Sequence, residues 1–354
     1  MAAFDIKKLL QSVVAHGASD LHLVSRTEPQ IRLDGTLKPV NLPKMTGEDI
    51  EEMCYSLITE KQKQQYEEFN ELDFALLLPG TGRFRANYYR TLGDPAAAFR
   101  IIPIDIPSLD DLKSPPIYKE LVKREKGLIL VTGPTGSGKS TTLAAMLNEI
   151  NLTEHKHIIT VEDPVEFIHQ NKKSVFSHRG VGDDTASFAK ALKFSMRQDP
   201  DIIFIGEMRD RETIEAGLTA AETGHLVFAT LHTSSAPGTI NRIIDVFSGD
   251  EQPQIRAMIA SSLVAVIAQA LLPKLGGGRV AASEILVTNH AISNLIREDK
   301  VHQIYSQMQL GQGDTGMQTQ TQSLMKFYKD KKISREIALQ YANRADEVEK
   351  ALMH

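Results

Sequence analysis

The sequence predicts an α/β fold in which a larger domain with a parallel sheet follows a smaller α+β domain. From Ile117 onward, short apolar runs of strand length alternate with helical patterns, which is typical of a parallel sheet. Before that point, helices mix with short strands that are joined by hairpin turns. A stretch with four prolines separates the two patterns and is expected to be a linker. The predicted boundaries are 1–102 for the first domain, 103–116 for the linker and 117–354 for the second domain.

The composition is that of an ordinary soluble globular protein. Of the 354 residues, 42% are hydrophobic and 24% are charged, and the net charge is -5. This charge gives no overall basic field that would attract nucleic acid. No apolar run approaches the ~20 residues that are needed to cross a bilayer. The single cysteine, Cys54, excludes an internal disulfide and a four-cysteine zinc site, and its helical apolar neighbours favour a core position over a role as nucleophile.

The first domain is expected to contain helices and antiparallel strands. The predicted helices are 4–16, 46–58 and 59–68. The predicted strands are 21–23, 30–33, 72–78, 83–90 and 96–102. Asp34-Gly35 and Gly93-Asp94-Pro95 are turn signals between strands.

The second domain is expected to be built from alternating strands and helices. The predicted strands are 127–131, 157–161, 202–205 and 226–230. The predicted helices between them are 139–151, 185–197 and 211–223. The last hundred residues are expected to be mainly helical, with a strand near 279–286.

A glycine-rich loop follows the first buried strand of this domain. It matches G-x-x-x-x-G-K-[ST] in full, and a helix is predicted directly after it. In such a loop, backbone N–H groups surround phosphate oxygens at a helix N-terminus. Lys139 is expected to reach the β and γ phosphates, and the Ser140 hydroxyl to hold Mg²⁺. The candidate nucleotide-binding residues are Gly133, Thr135, Gly136, Ser137, Gly138, Lys139, Ser140 and Thr141.

Two acidic residues come at the ends of later strands. Glu162 ends one apolar run, and Glu207 follows the next strand after a glycine. Because the carboxyl ends of parallel strands share one edge of a sheet, both carboxylates are expected to face the nucleotide. One such carboxylate can hold Mg²⁺ through water, and another can orient the attacking water or accept its proton.

Histidines and arginines supply further candidates. His225 and His232 flank a buried strand, where a histidine can sense the γ-phosphate or serve only as a structural residue. Arg83 and Arg85 share one face of a strand, and Arg100 lies on the returning strand. These arginines are either a solvated basic edge or fingers that reach the triphosphate from a second domain or a neighbouring subunit.

Four segments together resemble the secretion ATPase superfamily. They are Glu162-Asp163-Pro164, Gly206-Glu207-Met208-Arg209-Asp210, the stretch from Gly224-His225 to His232-Thr233, and Gly17-Ala18-Ser19-Asp20-Leu21-His22-Leu23. The first three resemble the family's Asp box, Walker B segment and His box. The likeness extends over essentially the whole chain and is strongest to the pilus-retraction branch.

The resemblance implies a homohexameric ring with a PAS-like amino-terminal domain and a RecA-like carboxy-terminal ATPase domain. It also implies that Glu162 activates water and that Glu207 supports Mg²⁺. Arg83, Arg85 and Arg100 match positions that contact nucleotide as the domains close. The segment from Ala291 to Glu298 resembles a motif linked to retraction, with serine at position 293 where that motif has arginine.

The expected function is therefore ATP-driven pilus retraction by a cytoplasmic ring that sits on an inner-membrane platform protein, with related pilus ATPases as further partners. Three alternatives remain. A pilus assembly or type II secretion ATPase usually carries an added amino-terminal domain and a tetracysteine zinc site. A nucleic-acid translocase would need a basic pore, and no nucleic acid is expected. A non-hydrolysing accessory subunit would not need intact Lys139, Ser140, Glu162 and Glu207.

Overall fold

The computed structural model describes residues 4–33, 35–310 and 315–353 and divides the chain into two compact units. The amino-terminal unit comprises Met1–Asp105 and Pro164–Ile168. The ATPase unit comprises Ile106–Asp163 and His169–His354. The segment Pro164–Ile168 thus groups with the first unit, although its neighbours in the chain on both sides belong to the second.

The amino-terminal unit is an antiparallel sheet with three helices. The order of its six strands is β3-β2-β1-β6-β5-β4. The elements in chain order are α1 (Ile6–Ala15), β1 (Asp20–Val24), β2 (Gln30–Leu33), β3 (Thr36–Pro39), α2 (Gly47–Tyr55), α3 (Glu60–Phe69), β4 (Glu71–Leu78), β5 (Gly82–Thr91) and β6 (Asp94–Ile102). The predicted α+β character is confirmed.

Alternation along β5 fixes the two faces of this sheet. Phe84 and Tyr88 point into the core and are fully buried, and Tyr88 meets the ring of Phe99 edge to face at 5.8 Å. Cys54 is buried beneath them, as expected for a core residue. Burial raises the pKa of its thiol to about 12, so it is not a nucleophile at neutral pH.

Two turn predictions have different outcomes. β5 and β6 are joined by Leu92 and Gly93, with φ of 51° and 88°, and Asp94 already belongs to β6. The predicted turn at Gly93-Asp94-Pro95 is therefore one residue too late. The chain reverses between β2 and β3, which pair antiparallel, but Asp34 of the predicted turn lies outside the described residues.

The ATPase unit is a seven-stranded sheet flanked by helices. The strand order is β13-β12-β7-β11-β10-β8-β9. The strands are β7 (Gly127–Thr132), β8 (His157–Glu162), β9 (Val175–Gly180), β10 (Ile202–Ile205), β11 (Leu226–Leu231), β12 (Leu263–Pro273) and β13 (Arg279–Val287). The helices are α4 (Ile117–Leu121), α5 (Lys139–Thr153), α6 (Phe188–Ser195), α7 (Arg211–Glu222), α8 (Ala236–Ile244), α9 (Gln252–Ser262), α10 (His290–Arg297), α11 (Ile304–Leu310), α12 (Gln320–Lys329), α13 (Arg335–Gln340) and α14 (Ala345–Leu352).

The predicted parallel sheet is confirmed at its centre. Strands β7, β11, β10 and β8 pair in parallel, so their carboxyl ends meet at one edge. Nearly every side chain on these strands is buried, which explains why they read as continuous apolar runs. A core this apolar holds the strand ends in fixed positions.

The prediction that the last hundred residues are mainly helical is wrong for Leu263–Pro273. This segment is strand β12, which pairs parallel with β7 and antiparallel with β13. A long apolar run does not distinguish a buried helix from a strand with both faces covered. Strand β9 was also not predicted, because its Ser177, His178 and Arg179 break the apolar pattern.

No helix among the described residues is long and apolar enough to span a bilayer.

Candidate active site

The phosphate loop connects β7 to α5, and its glycines are required by geometry. Gly136 and Gly138 have φ of 80° and 89°, in the left-handed region that other residues rarely adopt. A Cβ at Gly133 would lie 2.2 Å from the backbone oxygen of Gln269. A Cβ at Gly138 would lie 2.8 Å from the Gln269 side-chain nitrogen. The loop therefore has no room for side chains on its inner wall.

The donors of this loop fit an anionic ligand. Lys139 is buried in the first turn of α5, and its Nζ donates to the carbonyl oxygens of Gly133 at 2.9 Å and Pro134 at 3.1 Å. The buried Ser137 hydroxyl has no hydrogen-bond partner among the described residues. Thr135 and Gly136 form the exposed tip. A buried hydroxyl and an ammonium beside a helix N-terminus are the groups that a phosphate chain requires.

Gln269 of β12 holds the loop from behind and was missed by the sequence analysis. Its Nε2 donates to the Ser137 carbonyl oxygen at 2.7 Å, and its Oε1 accepts from the Thr142 hydroxyl at 2.9 Å. The side chain is 5% exposed, so these bonds are shielded from water. In the sequence, Gln269 is a single polar residue in an apolar run that was not predicted to be a strand, so no motif marked it as functional. Its contact with the phosphate loop becomes visible only when the run is known to be strand β12.

Gln269→Leu is expected to weaken nucleotide binding about tenfold and to lower the melting temperature. Leucine keeps the volume but leaves the Ser137 carbonyl and the Thr142 hydroxyl without partners, and each unsatisfied buried group costs about 1–3 kcal/mol. Titration with a fluorescent ADP analogue and a melting curve measure the two effects. Gln254→Leu, at an exposed position of α9, is the control. Equal nucleotide affinity in all three proteins would contradict a role for Gln269 in shaping the loop.

Glu162 is the last residue of β8 and lies on the same sheet edge as the phosphate loop. Its side chain is 6% exposed. Gly206, which follows the neighbouring strand β10, makes room for it, because a Cβ there would lie 3.1 Å from the Glu162 Cα and 3.4 Å from its Cγ. The backbone of both strands thus fixes where this carboxylate can reach.

Glu207 lies at the same edge in a small polar network. Its Oε1 is 2.9 Å from Nε2 of His232, which follows β11, and it also pairs with the Arg209 guanidinium. Burial alone would raise the pKa of Glu207, but the hydrogen bond from Arg209 and the charge of His232 outweigh it and hold the pKa below its usual value. Glu207 and His232 open into a cavity of about 480 Å³ that Arg209 and Arg242 also line.

A magnesium ion fits this edge of the sheet only if a bound nucleotide supplies some of its ligands. Among the residues that the structure describes, no group of three or more His, Cys, Asp or Glu side chains is placed to hold a metal. Mg²⁺ commonly takes one or two protein ligands and completes its shell with phosphate oxygens and water. Ser140 and Glu207 are candidates for those protein ligands.

The two predicted histidines lie at opposite ends of β11. His232 follows the carboxyl end, beside Glu207, whereas His225 precedes the amino end. The His225 ring contacts the carbonyl oxygen of Ala220 at 3.0 Å. At ~3.3 Å per residue, the seven steps from His225 to His232 separate the two histidines by about 23 Å. Only His232 therefore joins the other candidate residues.

A stack of aromatic rings supports the end of β8. His169 lies parallel to Phe176 with 4.4 Å between ring centroids, and its backbone N–H donates to Nε2 of His178 at 3.2 Å. His178 in turn contacts the hydroxyl of Thr160, two residues before Glu162, at 3.1 Å. Burial, and then the nearby His178 and Lys172, lower the pKa of His169 to about 3.

The wild-type protein is expected to lose stability as the pH falls below about 6.5. Native His169 has a pKa of about 3, below the 6.5 of an ordinary histidine. Its contribution to the free energy of unfolding is therefore fully present above pH 6.5 and is lost on acidification. The free energy of unfolding should drop by up to about 1.4 kcal/mol per pH unit from this group. Urea titrations between pH 7.5 and 5 should show a shallower loss in His169→Phe. An identical pH slope in the two proteins would contradict this origin.

The three predicted arginines lie in the amino-terminal unit, each held by a partner there. Arg85 and Arg100 are directly opposite each other on β5 and β6. Arg85 pairs with Asp73 of β4 at 2.5 Å, and Arg100 pairs with the buried Asp20 of β1 at 2.7 Å. Arg83 is 9% exposed, and its Nη1 donates to the carbonyl oxygen of Glu166 at 2.7 Å. Arg85 and Arg100 thus form a cationic pair on one face of the sheet, whereas Arg83 is buried.

Comparisons with known proteins agree with this geometry. Residues 2–277 match the family described as type II/IV secretion system protein. The chain is 48% identical to the type IV pilus retraction ATPase PilT of Pseudomonas aeruginosa, over 96% of this chain and 98% of that protein. It is 47% identical to the twitching motility protein of Neisseria gonorrhoeae, over 97% and 92% of the two chains.

A solved structure resembles the whole chain as well. The crystal structure of the pilus retraction motor PilT with bound ADP superposes with a TM-score of 0.91 at 48% identity, covering 98% of this chain and 99% of that one. This likeness confirms the RecA-like ATPase fold that follows the smaller amino-terminal domain. The chain is a P-loop ATPase and belongs to the type II/IV secretion system protein family.

Proposed function

We propose that this chain is a homohexameric motor that hydrolyses ATP with Mg²⁺ to retract type IV pili. One observation carries the proposal. The phosphate loop, Glu162, Glu207 and His232 end four neighbouring parallel strands at one sheet edge. The likeness to PilT, over nearly the full length of both proteins, supports retraction as the work that this site performs.

The phosphate loop grips the nucleotide. Backbone N–H groups from Thr135 to Thr141 surround the phosphate oxygens, and Lys139 turns from its loop carbonyls toward the β and γ phosphates. Ser137 supplies a hydroxyl that has no hydrogen-bond partner within the described part of the chain. Gln269 keeps the loop in shape while the ligand enters and leaves.

Glu162 acts as the base that activates water. Its position at the end of β8, beside the small Gly206, directs a carboxylate toward the edge where the γ-phosphate lies. Ser140 and Glu207 would hold Mg²⁺, Glu207 through water, and the ion would supply positive charge to neutralise the charge that develops on the phosphates.

Arg85 and Arg100 supply the signal that converts chemistry into motion. A γ-phosphate that is held by the phosphate loop and also contacted by these arginines favours a closed arrangement, which hydrolysis then releases. His232 orients Glu207 through their contact. It also responds, at the same sheet edge, to the loss of the γ-phosphate. Six such sites in a ring give repeated closure and opening.

Pilus retraction requires the motor to act on other proteins of the pilus machinery. The ring acts in the cytoplasm on an inner-membrane platform protein, and related pilus ATPases are further candidates for association. Nucleic acid is not proposed as a partner, because the net charge of -5 gives no basic field for its backbone.

Deletion of the gene tests this function in cells. Retraction predicts that cells without the protein carry excess pili and lose surface motility, and that the wild-type gene restores both properties whereas Glu162→Gln restores neither. Loss of pili on deletion would instead indicate an assembly motor and would overturn the proposal.

A further inference from the structure

The segment Pro164–Ile168 connects the catalytic strand to the amino-terminal unit. It follows Glu162 after only one residue, Asp163, yet it groups with the amino-terminal unit. The chain then returns to the ATPase unit at His169. This short excursion begins two residues after the residue proposed to activate water.

Arg83 holds the segment within the amino-terminal unit. Its Nη1 donates to the carbonyl oxygen of Glu166 at 2.7 Å, and the arginine is only 9% exposed. A hydrogen bond from a charged donor is stronger than a neutral one, and burial strengthens it further. Arg85 and Arg100 on the same sheet are more exposed than Arg83 and pair with Asp73 and Asp20.

Both ends of the excursion are anchored in the ATPase unit. At one end, Val161 pairs with Ile205 in the central sheet, one residue before Glu162. At the other end, the ring of His169 stacks on Phe176, and the backbone N–H of His169 donates to Nε2 of His178. Pro164 stiffens the backbone between Glu162 and the segment. Because both ends are fixed and the connection is short, a displacement of the segment also displaces Glu162.

We propose that Arg83 is a positioning residue that couples the amino-terminal unit to Glu162. Its bond to the Glu166 carbonyl makes the segment move with the amino-terminal unit, and this movement sets the position of the Glu162 carboxylate through Asp163 and Pro164. Hydrolysis then proceeds only when the amino-terminal unit is in place. This inference rests on the proposed function and gives Arg83 a role other than contact with the phosphates.

The test separates nucleotide binding from turnover. In Arg83→Ala, kcat is expected to fall about tenfold or more, the range typical of coupling between sites, while the Kd for a fluorescent ADP analogue changes less than about twofold. Arg83→Lys, which keeps a cationic donor, should recover part of kcat. Arg90→Ala is the matched control. Arg90 is also on β5 but donates to the carbonyl oxygen of Gly93, and its replacement should leave kcat unchanged.

Amide hydrogen exchange measures how firmly the segment is held, and this measurement does not depend on enzymatic activity. Amides of residues 163–169 should exchange faster in Arg83→Ala than in the wild type, whereas the phosphate loop should be unchanged. Pro164→Gly, which retains Arg83, should also lower kcat without weakening nucleotide binding, and it provides a second test if Arg83→Ala does not fold.

Two results would overturn the inference. A rise in nucleotide Kd that matches the loss in kcat would make Arg83 a phosphate contact, and an unchanged kcat with unchanged exchange would remove any coupling role. Either result leaves the proposed function standing, because that function depends on hydrolysis and on Glu162→Gln rather than on Arg83.

Discussion

Glu162→Gln is expected to lower ATP turnover by at least about 10²-fold while ATP still binds. Removal of a general base typically costs 10²–10⁴ in rate. Glutamine is nearly the same size, so it fits the space beside Gly206, and it leaves the phosphate loop untouched. Steady-state phosphate release gives kcat, and equilibrium binding of a fluorescent ATP analogue gives the affinity.

The control for this variant is Glu215→Gln, at an exposed position of α7. It should retain most of the wild-type turnover. If Glu162→Gln hydrolysed ATP at the wild-type rate, Glu162 would not be the base, and the activation of water would have to be assigned elsewhere on the sheet edge.

Lys139→Ala is expected to raise the Kd for ATP about 10- to 100-fold and to abolish turnover at cellular ATP concentrations. Hydrogen bonds to charged groups contribute about 1.5–3 kcal/mol each, and 1.4 kcal/mol is a factor of ten in affinity. Isothermal titration with ATP and Mg²⁺ measures the loss. Without ligand, Nζ is occupied by the carbonyl oxygens of Gly133 and Pro134, so the variant also loses contacts that shape the empty loop.

Lys119→Ala serves as the control, since Lys119 forms only an exposed ion pair with Asp110. Such pairs contribute little. Wild-type affinity for ATP in Lys139→Ala would show that the phosphates bind elsewhere and would contradict the assignment of the phosphate loop.

The parts of the fold that follow from local pattern could be predicted. The phosphate loop was found because its glycines and lysine have fixed spacing. The central strands were found because their apolar runs are short and lie between helical patterns. Glu162 and Glu207 were found because strand ends in a parallel sheet share an edge. Each of these inferences needs only a few consecutive residues.

The remaining parts depend on contacts between distant residues. Gln269 lies 132 positions from the carbonyl that it holds, and its strand could not be told from a helix by apolar pattern alone. His225 and His232 each lie next to one end of the same apolar run in the sequence. The direction of β11 places only His232 beside Glu207. Nothing local indicated that the chain after Glu162 groups with the amino-terminal unit.

In the proposed motor, the ATPase unit binds the triphosphate and arginines of an amino-terminal unit sense it. A structure of the assembled protein with Mg²⁺ and a non-hydrolysable ATP analogue measures this most directly. We expect the guanidinium of Arg85 or Arg100 to lie within hydrogen-bonding distance of the phosphates in at least one closed subunit. Both guanidinium groups out of reach of the nucleotide in every subunit would contradict it.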